Sequence, residues 1–333
     1  MTWFEQLFGF REGGYAATRA RFAVTGAELR SLANGRRFGI GQFARPSLGE
    51  LREHGRRYSD RGTLEVRHVV IGDVLELHAR EPGATFQVAS QLNCLEFAGP
   101  NEVPEDGVTQ YDDDPTQGPA CALAAAAATV YRNYFVPVPG AAAPGQTRDR
   151  QLNNLSDLQA LLGADGALVT VTNGYTFSDA ERLARLNARL AQSDRDALMA
   201  ALRIGVQRGV EVTFARRFEP PPRPVYVNQA FCSALSCGYT GGGKELWAPL
   251  ASLVLDAAYE ATLWAALLSE PAADQRPNRV WLTFLGGGAF GNDKRWIAAA
   301  IRRALDHFAD RPLDVRIAHY GAIDETMRAL IGA

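Results

Sequence analysis

An α/β fold is predicted for this chain, with one core domain over residues 62–333 and a helical N-terminal extension over residues 1–61. Three observations carry that reading. From residue 64 onward, apolar runs of strand length alternate with helical periodicities, without a linker between them. One such run, Ala84-Thr-Phe-Gln-Val-Ala-Ser-Gln-Leu-Asn-Cys-Leu-Glu-Phe97, leads through an acidic turn-rich segment, Pro104 to Gly118, into an alanine-rich helix. A strand that runs out into a polar loop before a helix is where open α/β sheets place ligands. Two glycine clusters, 238–243 and 286–292, also follow strand-like runs and precede helices.

A length of 333 residues suits one large domain or two modest ones. Hydrophobic content of 47% and charged content of 22% are those of a soluble globular protein. A net charge of −2 gives no support for general nucleic-acid binding or for a membrane surface. Cys94, Cys121, Cys232 and Cys237 lack metal-type spacing, so free buried thiols in a reducing compartment are expected. No signal peptide and no membrane-length apolar run is visible, which makes the cytoplasm the expected location.

Residues 1–61 hold eleven Arg against six Asp or Glu. Thr25 and Glu28 have the spacing of a capping box, and Pro46 to Arg52 suggests a short helix. Trp3, Phe4, Leu7, Phe8 and Phe10 would pack this layer on the core, while its arginines could instead face an anionic ligand or partner. Leu64–Ile71 and Val74–Arg80 read as two strands joined at Gly72-Asp73. Glu81-Pro-Gly-Ala is a turn, Phe86–Ser90 a strand, and Thr116–Phe135 one helix. A loop at 140–147 precedes a strand at 167–173. Helices follow at 179–191 and 194–207, each with Asp at its start. Strands at 210–215 and 225–234 flank a proline-rich link. A mostly buried helix covers Trp247–Ser269, a strand Arg279–Leu285, a helix Lys294–Phe308, and the strand Leu313–His319 closes the sheet.

The glycine clusters differ in chemistry. Gly238-Tyr-Thr-Gly-Gly-Gly-Lys244 has the spacing of a nucleotide phosphate loop, but Glu245 stands where Ser or Thr would hold magnesium. A surface loop or a wall of the cleft fits it better. Gly286-Gly-Gly-Ala-Phe-Gly-Asn292 leads straight into an amphipathic helix. Its backbone N–H groups, with the helix start, form a site suited to a diphosphate.

These pieces together resemble a macrodomain, the ADP-ribose-binding α/β fold, over residues 64–320. Ile71-Gly-Asp-Val74 resembles the family's Gly-Asp-Ile segment, which implies that Asp73 hydrogen-bonds adenine. Val88-Ala-Ser-Gln-Leu-Asn93 resembles the strand that ends beside the distal ribose, a role that would fall on Gln91 and Asn93. Gly286, Gly287, Gly288, Ala289, Phe290 and Gly291, with Asn292 after them, resemble the second phosphate loop, Phe290 covering the distal ribose. The resemblance implies a macrodomain-like mixed central sheet with helices on both faces.

Two departures narrow the match. Gln91 stands where the family often has Ala or Asn, and the acidic stretch 104–118 replaces the usual glycine-rich first loop. That replacement resembles a divergent branch, the arginine-directed ADP-ribosyl hydrolases, which includes a bacterial effector that reverses ubiquitin ADP-ribosylation. The implied reaction is hydrolysis of the N-glycosidic bond between ADP-ribose and arginine, on ubiquitin or another arginine-modified protein. ADP-ribose is then ligand and product, with no cofactor and no metal required. Such a reaction passes through an oxocarbenium-like state and needs a carboxylate to handle water. Asp106 and Asp114 are the candidates, beside Gly107 and Pro115; Asp112, Asp113, Glu105 and Glu96 are alternatives, and the run also fits a solvated turn. Gln117 and Gly118 would offer backbone N–H groups to the diphosphate. A reader that binds ADP-ribose without turnover, and an enzyme acting on free ADP-ribose derivatives, are the rival readings.

Overall fold

The computed structural model describes residues 1–240, 243–270 and 277–332. The lead-in is not a helical layer alone. It runs α1 (Trp3–Phe8), α2 (Tyr15–Arg19), β1 (Phe22–Thr25), β2 (Glu28–Ser31), β3 (Arg37–Gly39), β4 (Gln42–Ala44) and α3 (Leu48–Gly55). Strands β1 to β3 form a small antiparallel sheet. Thr25 and Glu28 therefore flank a hairpin turn at Gly26 (φ 58°) and do not cap a helix. The true capping boxes are Thr2 with Glu5 and Ser47 with Glu50. As expected, Trp3, Phe4, Leu7, Phe8 and Phe10 are buried.

The core continues with β5 (Glu65–Ile71), α4 (Val74–Arg80), β6 (Thr85–Ala89), α5 (Gln117–Ala124), α6 (Ala126–Tyr134) and α7 (Ser156–Leu161). Next come β7 (Thr170–Thr172), β8 (Tyr175–Phe177), α8 (Ala180–Ala191), α9 (Arg195–Ala201), β9 (Gly205–Glu211) and β10 (Tyr226–Cys232). The chain ends with α10 (Lys244–Leu267), β11 (Asn278–Leu282), α11 (Lys294–His307), β12 (Leu313–Tyr320) and α12 (Glu325–Ile331). The main sheet has the order β4-β9-β10-β6-β11-β12-β5. The five strands from β10 to β5 are mutually parallel, and β9 and β4 add antiparallel at one edge. One face packs on α10 and α11, the other on α4, α5 and α6. The fold is thus α/β with a mixed central sheet and helices on both faces.

Several expected elements changed for identifiable reasons. Residues 74–80 are a helix, not a strand. Asp73 caps it by accepting from Leu75 N, and Val74 and His78, one turn apart, are the buried positions. The His78 ring stacks on Phe86 with centroids 3.8 Å apart, and burial pulls it down to about 4. The helix expected over 116–135 breaks at Ala125. Thr213 inserts there, donating its backbone N–H to Ala124 O and accepting from Ala126 N on its hydroxyl. The helix expected to reach Gln207 stops at Ala201, and the chain enters β9 at Gly205. The strand expected at 167–173 is one arm of a hairpin outside the main sheet, β7–β8, turned at Asn173 (φ 50°) and Gly174 (φ 78°).

Helix α10 is long and apolar enough to cross a membrane by length and composition, but 94% of its most apolar window is buried inside the protein. All four cysteines are free and buried.

Candidate functional site

Because β10, β6, β11 and β12 are parallel, their carboxyl ends open on one edge of the sheet, and a pocket of about 510 Å³ lies there. It begins where two strands part. β6 stays paired with β10 up to Ala89 and Cys232, yet pairs with β11 only at Thr85 and Phe86. The gap is closed by side chains. The Gln117 amide accepts from Ala89 N and donates to Gln87 O, each at 2.8 Å, as a neighbouring strand would. Gly118 follows because any side chain there would collide with the sheet: a Cβ would stand 2.0 Å from Ala89 O. The start of α5 is therefore seated directly on the end of β6. Its first amides have no intrahelical acceptor and point toward the pocket end of the helix.

Across the pocket stands the glycine loop after β11. Gly286 (φ 71°) has no room for a side chain, since a Cβ would meet Ala234 Cβ at 2.4 Å. Asn292 donates to Leu235 O at 2.7 Å, and its backbone N–H bonds to Gly286 O. These contacts hold the loop so that the amides of Gly288, Ala289 and Phe290 make no hydrogen bond among the described residues. Three free amides in sequence are an anion nest. Lys294 is the sole cation among the described lining residues, and it is paired with Asp324 at 2.5 Å, so the backbone supplies most of the positive field.

One end of the pocket is mainly apolar, with Phe284, Ile297, Ala318, Tyr320 and Met327 beside the Lys294–Asp324 pair. The other end carries Ser90, Gln91, Glu96, Phe97, Asp114 and the ring cluster Tyr175, Tyr239 and Phe290. Those rings meet with centroids 5.2 to 5.9 Å apart. Tyr175 is delivered by the β7–β8 hairpin, and its hydroxyl donates to Phe97 O at 3.0 Å. Burial, with smaller pushes from Tyr239, Glu102 and Asp114, raises that hydroxyl above its usual range.

The sequence-derived site residues divide as follows. Gln91, Asp114, Gln117, Gly118, Gly286, Gly287, Gly288, Ala289 and Phe290 all line the pocket. Gln91, however, spends its amide on the backbone of Phe97, donating to O at 2.8 Å and accepting from N at 3.0 Å. It shapes the loop and has little left for a ribose. Asn93 is fully buried outside the lining, bonded to Leu95 N and Gln151. Asp73 is exposed and outside the lining, one oxygen accepting from Leu75 N as the cap of α4. Gly291 and Asn292 support the loop from outside. Of the five carboxylates between Glu105 and Asp114, only Asp114 reaches the pocket. Asp106 is exposed and accepts from Val103 N at 2.9 Å, Glu105 holds Arg148 N, and Asp112 pairs with Arg217. Asp114 accepts from Thr116 N on Oδ1, leaving Oδ2 without a partner among the described residues.

Glu96, an alternative in the sequence, gains weight. It lines the pocket, its side chain is fully buried, and Oε2 accepts from Arg132 Nη2 at 2.9 Å. Oε1 has no partner among the described residues. Burial, opposed by Arg132, pushes this carboxyl up to about 7. A third lining carboxylate, Asp324, is paired with Lys294; the other two, Asp114 half-exposed and Glu96 pushed up by burial, are the pattern of a divided base and acid. No residue of the first 61 lines the pocket, so the lead-in arginines do not wall it. In the cluster at 238–243, Gly238 N donates to Phe290 O and Tyr239 lines the mouth, while Gly241 and Gly242 lie outside the described residues. Among the described residues no group of three or more His, Cys, Asp or Glu is placed to hold a metal.

No protein-family model matches the sequence, and no curated protein matches it. Among solved structures, a poly(ADP-ribose) glycohydrolase from Deinococcus radiodurans in complex with ADP-ribose is similar over 97% of this chain and 97% of that chain, at 14% identity and a TM-score of 0.47. A poly(ADP-ribose) glycohydrolase from Thermomonospora curvata bound to the inhibitor ADP-HPD is similar over 92% of each chain, at 13% identity and a TM-score of 0.45. Neither likeness is close enough to carry an activity across to this chain.

Proposed function

We propose that this chain hydrolyses the glycosidic bond between ADP-ribose and a modified protein, with arginine as the modified residue and ubiquitin among the candidate substrates. The observation that carries the reading is the pocket itself. A nest of free amides and a helix start face each other at the carboxyl edge of the sheet, and two carboxyl groups of different environment stand at one end of the same pocket. The amides suit a diphosphate, the apolar end suits a base, and the carboxyl end suits the bond to be broken.

In this mechanism the C–N bond to the guanidinium breaks toward an oxocarbenium-like state, and its electron pair leaves with the guanidine nitrogen. Asp114 Oδ2 orients a water and accepts its proton as the water oxygen bonds to the anomeric carbon. That proton ends on the departing guanidine, restoring arginine as guanidinium. Glu96, held near neutrality, is the group able to hold or relay it. The cationic leaving side also suits the carboxylate Asp114 at this end.

The test is to offer arginine-, serine- and glutamate-linked ADP-ribosylated proteins, and poly(ADP-ribose), and to measure released ADP-ribose. Release from the arginine-linked protein, lowered about 100-fold or more by Asp114→Asn, is expected. Tight ADP-ribose binding without release from any substrate would leave a reader. Release from poly(ADP-ribose) or a serine link alone would retain the hydrolase and remove arginine.

A further inference from the structure

We infer that Glu12, on the N-terminal lead-in, is the positioning residue for the loop that carries Asp114, so that the first twelve residues are a working part of the site. The inference rests on the hydrolase reading above. Glu12 does not line the pocket. Its two oxygens collect four donors. Val108 N lies at 3.0 and 2.9 Å from them, Thr109 N at 2.7 Å, Thr109 Oγ1 at 2.5 Å and the Tyr134 hydroxyl at 2.7 Å. Trp3 Nε1 donates to Thr109 O at 2.7 Å, so the same lead-in grips Thr109 from its carbonyl side as well. The approach depends on Gly107 (φ 82°), where a Cβ would stand 2.5 Å from the Glu12 carboxyl carbon.

The choice of a carboxylate there has a cost. The loop already holds Glu105, Asp106, Asp112, Asp113 and Asp114, and a further negative charge beside them is repelled. Only a carboxylate, however, offers two acceptor oxygens and no donor, which is what two amides and two hydroxyls converging on one point require. Beyond Thr109 the chain makes a single 3₁₀ stretch to Asp113. Within it the buried Tyr111 hydroxyl accepts from Glu96 N at 2.9 Å, and Asp114 follows at once. Holding Thr109 therefore sets Asp114 and Glu96 against each other.

The glycine loop and the apolar end of the pocket touch none of this, so binding and turnover should separate. In Glu12→Gln, and in Thr109→Val as a milder cut of the same clamp, kcat for ADP-ribose release should fall by about 10- to 100-fold in the first and less in the second. The Kd for free ADP-ribose should stay within about twofold, because the anion nest is untouched. In an Asp114→Asn background, Glu12→Gln should add no further loss. A lowered Tm with kcat unchanged would make Glu12 merely structural and overturn the inference, as would an equal loss in the Asp114→Asn background. Should the wild-type chain release ADP-ribose from no substrate, the hydrolase reading falls by itself. The clamp is then judged on free ADP-ribose by amide exchange over residues 108–114. Ligand-induced protection present in the wild type and lost in Glu12→Gln supports it, and unchanged protection overturns it.

Discussion

Replacing Glu96 by glutamine tests whether the pocket holds a carboxyl that is neutral near physiological pH. In the folded chain burial raises this group from 4.5 to about 7, even against Arg132 at 2.9 Å. The folded state then binds its proton more tightly than the unfolded state does. Below the ordinary value both states are protonated and the stabilisation is fully present; it is lost as pH rises through about 7. A rise of that size corresponds to about 2–3 kcal/mol of stability lost between pH 5 and pH 8, since at pH 5 the unfolded group is already mostly ionised. Glutamine keeps the shape and cannot titrate, so the variant should lack this part of the pH dependence. The assay is urea unfolding of both proteins at pH 5, 6, 7 and 8, taking wild type minus variant at each pH to cancel other groups. The difference should fall by about 2–3 kcal/mol across that range. A flat difference, or one that rises with pH, would mean that Arg132 keeps Glu96 ionised and would refute its role as a proton donor. The same titration should shape activity: wild-type kcat/KM should decline above pH about 7, and that limb should be missing from the residual activity of Glu96→Gln.

Asp114→Asn should lower kcat by about 100-fold or more, whereas Asp106→Asn, which alters an exposed turn, should cost under about tenfold; ADP-ribose release by the two variants checks the ranking. Gly286→Ala should destabilise the fold by about 1–3 kcal/mol through its positive φ and its clash with Ala234. Gly288→Ala, with open space around it, should leave Tm within a degree or so of wild type, and thermal melts of both variants read this directly. Gln117→Leu keeps the volume but strands Ala89 N and Gln87 O, at about 1–3 kcal/mol each, and should lower both Tm and kcat, measured by melting and by ADP-ribose release.

What the sequence made legible was governed by period and by backbone chemistry. The parallel strands show as apolar runs, and Gly286 to Gly291 could be read as a phosphate loop because four glycines in six residues ask for close backbone approach. Side chains at a strand end gave no such guide. Gln91 and Asn93 are polar and sit where ligands bind, yet their amides satisfy the turn from Gln91 to Phe97. Glu96 looked like one carboxylate among many, because nothing near it in sequence announces that Arg132, 36 residues on, will be buried beside it. The hairpin that delivers Tyr175 carried a readable signal in Asn173-Gly174, a turn pair, although the alternation on its far arm is only three residues long. The acidic loop hid its partner in a different way: Glu12 lies 96 residues from Val108, on a segment whose composition pointed to packing or to an arginine-lined wall, not to a carboxylate clamp.

The position of Asp114 follows from sheet geometry more than from the loop that contains it. β6 and β11 stop pairing after Phe86 and Trp281, which leaves the edge of β6 unmatched where the pocket begins. Two glutamines repair that edge. Gln87 reaches across to Thr283 N and Thr262 on the α10 side, and Gln117 pairs with the β6 backbone itself. Once Gln117 is fixed there, the chain entering α5 has three residues, Asp114 to Thr116, in which to reach it. Asp114 is thereby held at the mouth of the gap by an anchor on its C-terminal side and by the Glu12 clamp on its N-terminal side. The parting of the strands that opens the pocket is thus also what fixes a carboxylate at its rim.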